Sequence, residues 1–153
     1  VWPVDPSGPA GRLALDLAPR VTTVVAGSLH NARAVADWLA REHDEDVQTV
    51  AVIASGDAWP DGSLRPAVED LWGAGAILAA LEDHDWRGLS PEAAAAADAY
   101  RLIVGREGSH LLASAGGQLC LAAGLDDALD RAAEVDGSRT VPLLGSQGFV
   151  PAP

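Results

Sequence analysis

Val47-Gln48-Thr49-Val50-Ala51-Val52-Ile53-Ala54 runs into Ser55-Gly56-Asp57-Ala58-Trp59-Pro60-Asp61-Gly62-Ser63-Leu64-Arg65-Pro66, and then into Ala67-Val68-Glu69-Asp70-Leu71. The first eight residues are rich in β-branched side chains and end almost wholly apolar, the composition of a strand buried on both faces. Residues 55–65 read as a loop. Pro66 suits the first turn of a helix, which the pattern carries to about Leu81. The same order occurs once upstream. Val21-Thr22-Thr23-Val24-Val25-Ala26 reads as a strand ending at Gly27, and Gly27-Ser28-Leu29-His30 as a loop. Residues 31–41 then read as a helix, with Asn31 as N-cap and Val35, Trp38 and Leu39 at helical spacing. Two strand–loop–helix units in series predict an α/β fold, layered α/β/α with a mixed, largely parallel sheet.

Outside these units the pattern is mostly helical. Residues 1–11, with Pro3, Pro6 and Pro9, read as a strand edge and a turn, and residues 12–18 as a short helix stopped near Pro19. Ser90-Pro91-Glu92 opens another helix with a capping hydroxyl, a proline and an acid at the positive end of the dipole. That helix is expected to reach Val104. Residues 110–123 and 126–135 form two more, divided by Gly124, and residues 140–144 a short closing strand. Gly73-Ala74-Gly75 falls inside a helix and is expected to let it pack closely against the sheet. There is no internal repeat, and 153 residues accommodate one α/β domain.

Charge and composition exclude several functions. Ten arginines, no lysine and 22 acids give a net charge of −12. A nucleic-acid binder needs a basic face to displace counterions from phosphates, so none is expected. The longest chargeless run, residues 108–125, holds four glycines, two serines, a glutamine and a histidine, too polar to span a bilayer. No signal peptide is read, and a cytoplasmic location is expected. The single cysteine, Cys120, excludes an internal disulfide and is read as core between Leu119 and Leu121. A Walker A loop needs the lysine this chain lacks, and the H-E-x-x-H, G-x-S-x-G and C-x-x-C patterns are missing. A cropped sheet edge would give a route to a homo-oligomer.

The candidate site is the loop after the second strand, where ligands of α/β sheets bind. Helix amides at its end can hold an anion, and Arg65 can grip phosphate or sulfonate oxygens in a fork. Glu69 and Asp70 lie in the first helical turn, about 100° apart around the axis, so only one of them easily faces the site. In the upstream loop, His30 is a candidate anion contact or proton donor, with the Ser28 hydroxyl and the Asn31 amide beside it. Glu82-Asp83-His84-Asp85 and the acidic run 42–46 read as solvated charge. Trp38 and Trp72 read as core, and Trp59 as either a pocket wall or a cover for the sheet edge.

The block from Ser55 to Ile77 resembles the signature of the 2-phosphosulfolactate phosphatase family, a strand leading into AG-x-x-W-x-DGSLRPA-x-ED-x-x-GAGAI. Here it reads Ser55-Gly56, Trp59, Asp61 through Ala67, Glu69-Asp70 and Gly73 through Ile77. Residues 26–36 are similar to the family's AG-x-L-x-NARAVA, and Ala132 to Asp136 with Val141-Pro142 to its closing helix and strand. The resemblance implies a magnesium-dependent phosphatase acting on a small phosphorylated and sulfonated acid, 2-phospho-3-sulfolactate, on the route to coenzyme M. It implies Arg65, Ser63, Ser28, His30 and Asn31 as substrate-binding residues. Asp61, Glu69 and Asp70 would be catalytic and would hold the metal. The family's upstream Asp-Val-Leu-Arg-Ala-like and Asn-Ser-Pro motifs do not occur in this chain, which is expected to be a C-terminal portion or a shortened homologue. The alternative is a non-catalytic relative that keeps the scaffold and binds anions or a protein partner.

Overall fold

A computed structural model describes residues 8–44, 46–146 and 148–153. Of the strand edge and turn expected over residues 1–11, residues 1–7 lie outside them, and Pro9 to Gly11 already belong to the first helix, for which Pro9 suits the opening position. Helix α1 is Pro9–Leu17, and a 3₁₀ turn, Leu29–Asn31, leads into α2, Ala32–Glu42. A hairpin of two very short strands follows, β1 at Asp57–Ala58 and β2 at Leu64–Arg65. It delivers the chain into α3, Val68–Glu82, and then α4, Pro91–Arg101. Three short helices come next: α5 at Glu107–Ala113, α6 at Ala115–Ala122 and α7 at Asp126–Ala132. Strands β3, Pro142–Gly145, and β4, Gly148–Pro151, close the chain.

The central element is α3. Its residues from Gly73 to Leu81 are buried almost without interruption, the signature of a helix covered on all sides rather than along one stripe. On one side lies α2, whose Val35, Ala36, Trp38 and Leu39 meet Ala76, Ile77, Ala80 and Leu81 in the main core, joined by Leu111 and Val141. On the other side lies α4, whose Ala96 and Ala97 pack with Leu78. The α3–α4 crossing is close because Gly75 has no side chain. A Cβ there would overlap the Ala96 carbonyl oxygen and press on Tyr100. Gly73 instead faces the backbone of Ser28 and Leu29, with contacts of 3.6–3.8 Å from an added Cβ. The two glycines therefore serve a helix and a loop, where the sequence suggested a sheet.

Local expectations are met in part. Ser90 caps α4, its hydroxyl accepting from the Ala93 amide at 3.2 Å. Ser114 splits the expected helix 110–123 into α5 and α6, donating to the Leu111 carbonyl at 2.8 Å while accepting from the Gly117 amide at 3.0 Å. Cys120 is only half-buried.

The architecture is mixed α/β, but it differs from the expected layered, largely parallel sheet. Among the described residues the ladders are two antiparallel pairs, β1 with β2 and β3 with β4. Residues 21–26 contribute only one antiparallel bridge, Val25 to Leu143, with the Ala26 amide donating to Pro142 at 3.0 Å and the Leu144 amide to Val24 at 2.9 Å. The run 47–54 enters no ladder among the described residues. Its alternation is that of a one-sided segment: Val50 and Val52 pack on the two core clusters, while Val47 is 80% and Ile53 50% exposed. Strand composition reports what a side chain tolerates, and a sheet forms only where neighbours are brought alongside. Here the helices occupy the core that a central sheet would have needed. No helix among the described residues is long and apolar enough to cross a membrane.

Candidate functional site

The β1–β2 hairpin is built from its turn outward. Asp61-Gly62 makes the reversal: Gly62 adopts φ +83°, and Asp61 Oδ1 accepts from the Ser63 amide at 2.9 Å and the Ser63 hydroxyl at 2.7 Å. The Trp59 amide donates to the Ser63 carbonyl at 2.9 Å, closing the loop. The register pairs Asp57 with Arg65, so residues eight apart in sequence share one end of the hairpin. Gly56 takes φ +68° directly under β2, where a Cβ would lie 2.9 Å from the Arg65 carbonyl oxygen.

Arg65 is the centre of the site. It is 5% exposed, and its Nη2 donates to Asp57 Oδ2 at 2.7 Å and lies 3.9 Å from Glu69 Oε1. Its guanidinium carbon sits 6.0 Å from the Trp59 ring centre, so Trp59 walls the cation from the solvent side. The Arg65 Nε atom is buried without a hydrogen-bond partner, as is Oε2 of Glu69. Buried polar atoms are nearly always satisfied, so two orphans of opposite sense in one ion pair set this cluster apart as the candidate site.

Asp70, one residue on, accepts from the Ser55 hydroxyl at 3.0 Å. Burial holds its carboxyl above the usual carboxylate range, against the Ser55 and Gly56 hydrogen bonds that pull it down. Asp57 is shifted the other way, below that range, by the hydrogen bond from Arg65. Asp61 is also held low by the Ser63 hydroxyl and amide. The site thus joins Ser55, Asp57, Arg65, Glu69 and Asp70. Both first-turn acids of α3 take part, although they diverge around its axis. Glu69 runs with Arg65, and Asp70 reaches back to the strand-side loop. Asp61 and Ser63 stand at the hairpin tip, their polar groups engaged with each other.

The upstream candidates are organised around another segment. Asn31 stands at the N-cap position of α2, but its side chain does not cap that helix. Its Oδ1 accepts from the Ser28 amide at 2.8 Å, and its Nδ2 donates to the carbonyls of Thr140 at 3.0 Å and Ala26 at 3.3 Å. The side chain is buried, and ties to three backbone groups outweigh a single exposed cap. His30 Nδ1 meets the Glu134 carbonyl at 2.7 Å, and since a carbonyl only accepts, the proton is on Nδ1. Ser28 Oγ accepts from the His30 amide at 3.2 Å. His30 and Asn31 therefore clasp residues 134–140, with Ser28 bonded to both, while Arg65 and the α3 acids belong to the hairpin.

Ser55 and Asp57 are the members of this candidate site that sequence reasoning missed. The partner of Asp57 follows only from the observed register, in which residues 60–62 form a three-residue loop between Trp59 and Ser63. Among the described residues no group of three histidines, cysteines or acids is placed to hold a metal ion.

The chain is thus an acidic α/β protein with a buried arginine set between carboxylates at a loop-to-helix junction. The family model for 2-phosphosulpholactate phosphatase matches residues 7–147, nearly the whole chain, and the chain belongs to that family. No curated protein matches it.

Proposed function

We propose that the chain is a phosphatase that hydrolyses the phosphate ester of 2-phospho-3-sulfolactate, releasing 3-sulfolactate and inorganic phosphate in the cytoplasm, on the route to coenzyme M. The observation that carries the reading is the buried Arg65 with its unpartnered Nε, set between Asp57 and Glu69 at the start of α3. A protein of net charge −12 repels a substrate bearing phosphate, carboxylate and sulfonate, so a desolvated guanidinium is where attraction has to be concentrated.

In this reading Asp57 holds the guanidinium plane, and Arg65 receives phosphoryl oxygens. A water attacks phosphorus, the P–O bond to the ester oxygen breaks, and that oxygen takes up a proton. Glu69 orients the attacking water and accepts its proton. Asp70, whose burial favours the protonated form, supplies the proton to the leaving oxygen. Magnesium fits beside them. Glu69 offers a buried oxygen with no hydrogen-bond partner, and magnesium is commonly bound through one or two carboxylates together with substrate phosphate. Of the three acids, Glu69 and Asp61 would hold the ion while Asp70 carries the proton, Asp70 becoming a ligand in its charged form, and when bound the ion draws charge from the phosphoryl oxygens. Ser63 at the tip, and Ser28, His30 and Asn31 at the second loop, belong to the proposal as substrate contacts.

The test is release of inorganic phosphate from 2-phospho-3-sulfolactate by the purified chain, with magnesium and then with EDTA. Turnover is expected to vanish with EDTA and to fall at least about 100-fold in Arg65→Lys, which keeps the charge but loses the fork. Equal rates for Arg65→Lys and the unaltered chain would overturn the assignment. No turnover from the unaltered chain would favour a non-catalytic, anion-binding family member.

A further inference from the structure

Glu69 has a neighbour that neither the family signature nor the hairpin accounts for. Gly116, the second residue of α6, lies so close that a Cβ built on it would overlap Glu69 Oε1 and crowd Cδ. The first turn of α6 cannot retreat. Ser114 is buried and fastened to both helices through the Leu111 carbonyl and the Gly117 amide. A Cβ on the next glycine, Gly117, would strike the Leu111 carbonyl oxygen, so α5 and α6 are already in backbone contact there. The Glu69 carboxylate is thus confined between α6 and Arg65, with Oε1 3.9 Å from Nη2 and Oε2 buried without a hydrogen-bond partner.

We propose that Gly116 is a positioning residue for the site, reserving the space in which the Glu69 carboxylate is held against Arg65. The inference rests on the proposed reading of the Arg65 site, but it concerns placement rather than chemistry. A methyl group at position 116 meets only the far end of a flexible side chain. The carboxylate swings away and the helices stay where they are, so Gly116→Ala disturbs the site while sparing the fold.

Three variants test this: Gly116→Ala, Glu69→Asp, and the two combined. Each is read by thermal unfolding, by phosphate release, and by the Arg65 Nε–H resonance of ¹⁵N-labelled protein, assigned through its loss in Arg65→Lys. Gly116→Ala is expected to unfold near the temperature of the unaltered chain, to move the Arg65 resonance, and to lower kcat about 10-fold with KM little changed. The shorter acid clears the added methyl, so the combined variant is expected to return the resonance toward its position in Glu69→Asp alone. A resonance unmoved by Gly116→Ala, a large loss of thermal stability, or no compensation in the combined variant would each overturn the proposal. If the unaltered chain releases no phosphate, the catalytic reading fails, and the resonance still decides the role of Gly116.

Discussion

At the scale of single residues, the site depends on how two carboxylates of one chemical type are treated differently. Asp57 is half-exposed but bonded to a buried guanidinium, which favours its charged form. Asp70 is desolvated, which favours its neutral form. The sign of the pH dependence follows. A carboxylate with a depressed pKa contributes stability that is complete above its ordinary value and is lost as pH falls through the depressed one. Asp57→Asn is therefore expected to be less stable than the unaltered chain at pH 7, with the gap closing from about pH 4 downward. Urea titrations of both proteins across that range measure it, and a gap independent of pH would show that the Asp57–Arg65 pair contributes nothing through charge. The acids of the first α3 turn and the arginine were legible in the sequence because each is a local signal. The Asp57–Arg65 pair was not, since it needs the hairpin register before the two residues meet.

At the scale of elements, glycines separate the helices that build the core from the helix end that shapes the site. Gly75 faces the Ala96 carbonyl, and backbone cannot swing aside as the Glu69 carboxylate can beside Gly116. Gly75→Ala is accordingly expected to cost about 1–3 kcal/mol of stability by forcing α3 from α4. Chemical denaturation reads the change, and an unaltered midpoint would mean that the α3–α4 crossing is looser than described. The GAGAI stretch was recognisable as helix from its sequence. Its partner was misjudged, because small residues state that something comes close and are silent on whether it is sheet or helix. Asn31 teaches the same point. Its type and position read as a cap, and only the fold brought Thr140 within reach of its amide.

At the scale of the whole molecule, 22 acids against ten arginines leave a surface that repels itself. Local ion pairs such as Arg33 with Asp83, 2.6 Å apart, and Arg101 with Asp98, 2.9 Å apart, offset only part of it. Raising salt to about 0.15 M shortens the screening length to about 8 Å, and Tm is expected to rise with it. A Tm that falls would show that the ion pairs outweigh the net repulsion. In the proposed reading, the same excess of acid makes a desolvated arginine the natural place for an anionic substrate. By itself the sequence determined most of the helices, the Ser90 cap, the charge balance and the family block, each of which is encoded locally. Only the tertiary structure decided that the apolar run 47–54 lies against the helices without a ladder among the described residues. It alone placed His30 and Asn31 with the C-terminal segment, and α6 against Glu69. Those outcomes depend on which elements compete for the space around α3, and no pattern within a single segment records that competition.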